Sequence, residues 1–108
     1  PTWASGVSTI TSKTASYTLT TSDNYVIASS GSGITFTLPT ASGNTGKEYT
    51  IKNISSSNVT IATTGSQKIV VDAANSTATT ATLGIEASNN WIRVISDGTQ
   101  WIAFRALF

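Results

Sequence analysis

The chain has 108 residues, enough for one small domain with a thin core, since a domain of this size hides only about two-thirds of the surface its unfolded chain exposes. Six basic and five acidic residues are scattered singly and leave a net charge of +1, with no basic stripe of the kind that phosphate-backbone binding needs, so no nucleic-acid partner is expected. His and Cys are both absent, which excludes disulfides, thiolate and imidazole metal sites, and Ser-His or Cys-His nucleophilic chemistry.

Residues 1–16 are polar, with Trp3, Val7 and Ile10 as the large apolar groups, and read as an entry segment from a preceding shaft or domain. The chain opens on Pro1 rather than Met and is expected to be a piece of something longer. A β-domain is expected over residues 17–108. Short alternating runs recur there every 8 to 12 residues or so, separated by Gly, Asn, Asp and Ser clusters. The predicted strands, in order, are Tyr17 to Thr21, Tyr25 to Ser29, Ile34 to Leu38, Glu48 to Ile54, Asn58 to Thr63, Lys68 to Val71, Ala81 to Ala87, Trp91 to Ser96 and Gln100 to Arg105. Pro39 stops the third, and a polar loop with Gly43 and Gly46 leads into the fourth. Residues 72–80 carry no apolar face and read as a loop. Asp97-Gly98 is the best hairpin signal, matching a type I′ turn. The pattern predicts an all-β fold, a small antiparallel β-sandwich or meander. No apolar run approaches the roughly 20 residues of a bilayer span, so no membrane insertion is expected.

In the last two strands Trp91, Arg93 and Ile95 alternate with Ile92 and Val94, and Trp101 and Ala103 with Ile102 and Phe104. Both faces are largely apolar, whereas a sheet packed on one side has a polar outer face. The second face must therefore meet a second sheet or another subunit. The closing Ala106-Leu107-Phe108 adds apolar surface, and burial of such surplus by self-association is expected.

The runs Thr18-Leu-Thr-Thr-Ser-Asp23 and Tyr25-Val-Ile27, then Ile34-Thr-Phe-Thr-Leu-Pro39, Gly46-Lys-Glu-Tyr-Thr-Ile-Lys-Asn53 and Ile95-Ser-Asp-Gly-Thr-Gln-Trp101 resemble, in order and spacing, a segment of bacteriophage tail fibre and tail spike proteins. The resemblance implies a distal β-domain of a virion fibre or spike, extracellular, assembled as a homotrimer and placed to touch the host cell surface. It implies binding rather than catalysis, with no cofactor, and supplies no fixed set of binding residues.

For binding a host cell-surface glycan, aromatic rings that stack on a sugar face and also donate a hydrogen bond are the natural candidates. Tyr25, Tyr49, Trp91 and Trp101 are the expected ligand-binding residues, with Asn44 as a loop hydrogen-bonding group. The competing reading places Trp91 and Trp101 in the core or a subunit interface, and leaves Tyr25, which follows a turn, evenly balanced. A structural trimerisation module without its own receptor site is the alternative function. Paired carboxylates drawn from Asp23, Glu48, Asp72, Glu86 and Asp97 offer the one workable catalytic option, a polysaccharide depolymerase. Asp23 and Asp97 sit in turn contexts that favour Asp for backbone reasons, and the chain is not expected to be an enzyme.

Overall fold

Successive strands do not fold back on one another; through most of the chain they alternate between two sheets. The computed structural model describes residues 9–73 and 76–105. Trp3, Val7, Asn75 and the closing Ala106-Leu107-Phe108 lie outside the described residues. Ten strands are formed: β1 (Ile10–Lys13), β2 (Tyr17–Thr18), β3 (Tyr25–Ala28), β4 (Thr35–Thr37), β5 (Glu48–Asn53), β6 (Val59–Ala62), β7 (Ile69–Val70), β8 (Thr80–Leu83), β9 (Trp91–Ser96) and β10 (Trp101–Arg105). They make a six-stranded sheet in the order β1-β3-β5-β9-β10-β7 and a four-stranded sheet in the order β2-β4-β6-β8. Among the described residues no helix is long and apolar enough to cross a membrane.

The fold is all-β, as expected, but the antiparallel meander is not what forms. The pairs β1·β3, β3·β5, β2·β4, β4·β6 and β7·β10 are parallel. Only β5·β9, β9·β10 and β6·β8 are antiparallel. The reason lies in the connections. Gly31 and Gly33, both at positive φ, turn the chain from the end of β3 across to β4 in the other sheet. The stretch from Leu38 to Lys47 carries it back to β5. The result is a winding of regular pitch: Tyr25 pairs with Thr50 and Phe36 with Ile61, an advance of 25 residues in each sheet. Within the expected entry segment, Ile10–Lys13 form β1, the outer strand beside β3.

The Asp97-Gly98 hairpin is present with a different turn. Only Gly98 has positive φ. The Asp97 carboxylate accepts the amides of Thr99 and Gln100, both at 2.9 Å, so four residues rather than two join Ser96 to Trp101. Those amides hold the Asp97 carboxyl below its usual range.

The core lies between the sheets. Val26, Ala28, Tyr49, Ile51, Ile69, Ile92, Val94, Trp101 and Ala103 face inward from one side, and Phe36, Val59, Ile61 and Leu83 from the other, with Leu19, Ile34, Leu38 and Ala41 closing the ends. This inward set is the period-2 pattern of the sequence. Trp101 packs on Tyr49 with ring centroids 5.6 Å apart and planes at 47°, within the range of favourable aromatic pairs. Their polar ends are satisfied: Trp101 Nε1 donates to the Pro39 carbonyl at 3.2 Å and the Tyr49 hydroxyl to the Thr20 carbonyl at 2.8 Å.

Candidate functional site

The inner faces meet in the core, so any site for a ligand or partner lies on an outer face, an edge or a loop. On the four-stranded sheet the outer face is built of Thr18, Thr37, Ala62 and Thr80 in one row and Thr35, Thr60 and Thr82 in the next, with no charged side chain. The six-stranded sheet differs. Its registers place Ile10, Tyr25, Thr50, Arg93 and Phe104 side by side in one row. A second row holds Glu48, Ile95, Ile102 and Val70, and a third Ser12, Ile27, Lys52 and Trp91. Ile10, Tyr25 and Phe104 are exposed, at 66%, 43% and 53%.

Between β3 and β5 this face holds a pocket of about 100 Å³ lined by Asn24, Tyr25, Glu48 and Thr50. Tyr25 is there because strand phase sends Val26 and Ala28 inward and Tyr25 outward. Glu48 stands 3.8 Å from Arg93. Both are about half exposed, so the pair orients the carboxylate and adds little stability. Lys52 donates to Asn90 Oδ1 at 3.0 Å. The pocket thus combines a phenol ring, a carboxylate, an amide and a hydroxyl, the groups that recognise a polyhydroxylated ligand.

The five expected ligand-binding residues separate. Tyr25 lines the pocket. Trp91 lies half-buried on the same outer face, next to Lys52. Asn44 belongs to the loop before β5, where its Nδ2 donates to the Thr40 carbonyl at 2.7 Å. Tyr49 and Trp101 are 0% exposed. They point the other way along their strands, in phase with Ile51 and Ala103, so their rings fill the core and are out of reach of a ligand. Asn24, Glu48 and Thr50 were not in the expected set; their signal was proximity to Tyr25 in strand register, which only the parallel pairing reveals.

A second cluster, at the end of the sandwich, is structural. Asp23 is 4% exposed and accepts from Thr11 Oγ1 at 2.5 Å, the Tyr17 hydroxyl at 2.7 Å, the Thr20 amide at 2.8 Å and Thr20 Oγ1 at 3.2 Å. Burial alone would raise its pKa; the hydrogen bonds together outweigh that and hold the carboxyl below its ordinary value. The bond to Asp23 in turn raises the Tyr17 pKa. Lys47 Nζ donates to the Asp23 carbonyl at 2.6 Å and sits 4.9 Å from the centre of the Tyr49 ring. Burial, reinforced by the charge of Asp23, pushes the Tyr49 hydroxyl up to about 12. With four donors on its carboxylate, Asp23 is committed to holding β1, β2 and the loop before β3 together.

No family model, curated protein or solved structure matches the chain. Among the described residues no group of three or more acids is placed to hold a metal ion.

Proposed function

We propose that this chain is a tip module of a virion fibre or spike that binds host cell-surface polysaccharide as a homotrimer. The observation that carries the binding part is the pocket at Tyr25, an exposed ring beside Asn24, Glu48 and Thr50 on an otherwise flat sheet face. A sugar ring laid on Tyr25 would place its hydroxyls within reach of the Glu48 carboxylate and the Thr50 hydroxyl. The test is a glycan array, followed by titration of the best-bound oligosaccharide into wild type, Tyr25→Ala and Glu48→Gln. Each substitution is expected to weaken binding about tenfold, equivalent to about 1.4 kcal/mol. Array binding that is absent, or unchanged in Tyr25→Ala, removes the reading.

The burial of Tyr49 and Trp101 favours a second reading, a trimerisation module whose fibre carries its receptor site elsewhere, because two of the five expected binding residues serve the core. On that reading, deleting the module from the fibre abolishes trimers, while Tyr25→Ala leaves host adsorption intact.

A further inference from the structure

We infer that the half of the outer sheet face formed by β9, β10 and β7 is covered by further copies of this chain, closing around a three-fold axis with the six-stranded sheet inward. This rests on the homotrimer of the proposed function and names the surface that builds it. Val70, Ile102 and Ile95 stand in unbroken register across the three strands. Phe104, 53% exposed, stands in the adjacent row. These four side chains share the outer side of their strands with no charged residue between them.

Three strands about 4.8 Å apart, up to six residues long at about 3.4 Å per residue, give this half roughly 300 Å² in plan, a size at which exposed apolar patches mark interaction sites. The opposite face of the molecule, built of Thr18, Thr35, Thr37, Thr60, Thr80 and Thr82, is suited to water. The chain therefore has one side to hide and one to show.

The charges select a second copy as the occupant. At the inner margin of the patch stand one acid and one base, Glu48 and Arg93, each already paired within the chain. Burial beside them strands no unpaired charge. Copies that follow one another around an axis bring the acid of one margin toward the base of the next. A partner of single-signed charge would meet both signs. The pocket between β3 and β5 lies on the other half of the face and stays open at the rim of the assembly.

Light scattering on the 108-residue chain is expected to give three times its 11.2 kDa mass. Ile102→Lys is expected to give the monomer mass with an unchanged far-UV circular dichroism spectrum, and Thr60→Lys, on the other sheet, to stay trimeric. Because the chain has no cysteine, single-cysteine variants provide a second readout that does not depend on weakening the fold. Phe104→Cys is expected to form interchain disulfides on mild oxidation and Thr60→Cys none. A monomeric wild type, an oligomer that survives Ile102→Lys, or interchain disulfides from Thr60→Cys but not Phe104→Cys overturns the inference. The glycan reading fails on a different result: intact trimers whose oligosaccharide binding is absent or indifferent to Tyr25→Ala.

Discussion

Asp23 and Asn53 are two buried polar side chains that replace a longer hydrophobic contact at opposite ends of the sandwich. Asn53, 1% exposed, donates to the Ser57 and Gly84 carbonyls, both at 2.9 Å, and accepts from the Ser55 amide and hydroxyl at 2.9 and 2.6 Å. It thereby ties the loop after β5 to the loop after β8. Asn53→Ala strands these groups and is expected to cost about 2–3 kcal/mol, read as a lower urea midpoint at constant slope. Asp23→Asn removes the charge that strengthens four hydrogen bonds and is expected to cost about 2 kcal/mol. The pH dependence has a definite sign. The folded state holds the Asp23 carboxyl below its ordinary value, so its stabilisation is complete above the unfolded value of about 3.9 and is lost as pH falls through the depressed folded value. Melting temperatures followed from pH 5 down to pH 2 should fall less steeply in Asp23→Asn than in wild type, and parallel curves would show that Asp23 does not carry the acid sensitivity.

At the scale of elements, β1 is held on one side only. The amides of Tyr25 and Ser29 donate to the Thr9 and Lys13 carbonyls at 3.0 Å, and Thr11 reaches the Asp23 carboxylate. Thr11→Ala should loosen this strand alone. Amide hydrogen exchange is expected to quicken about tenfold, the equivalent of about 1.4 kcal/mol, at Tyr25 and Ser29. The Thr50 and Asn53 amides, which donate to Asn24 and Asn90, should remain as in wild type. A uniform change across all four would mean that β1 opens only with the whole domain. This strand was hidden in the sequence because Ile10-Thr-Ser-Lys13 offers one apolar residue, and that one is 66% exposed. The other nine strands were visible because each alternates in phase with its burial, as Tyr49, Ile51 and Asn53 do against Glu48, Thr50 and Lys52. Their pairing was not visible. A polar turn after a short run suits a hairpin and a crossing between sheets equally well, and only long-range register separates the two. The same limit hid the candidate site: the exposure of Tyr25 follows from strand phase, but its neighbours Glu48 and Thr50 arrive through the β3·β5 pairing, 25 residues along the chain for Thr50.

For the whole molecule, most pairings join distant parts of the chain, and the parallel ones cannot form until an intervening strand has been laid in the other sheet. Loop closure must precede most stabilising contacts, so folding is expected on the millisecond-to-second scale rather than in microseconds. Stopped-flow refolding monitored by tryptophan fluorescence should show it, with Trp101 reaching its buried environment only in the final phase. The winding also gives the molecule a direction. On one side β1 and β2 are the outermost strands of their sheets and run in the sense of the coil; on the other, β8 and β9 run against it. The antiparallel strands act as a stop. The 25-residue pitch is thus a thread that can be lengthened only past β1 and β2, and a fibre built on it would grow in one direction and end at β8 and β9.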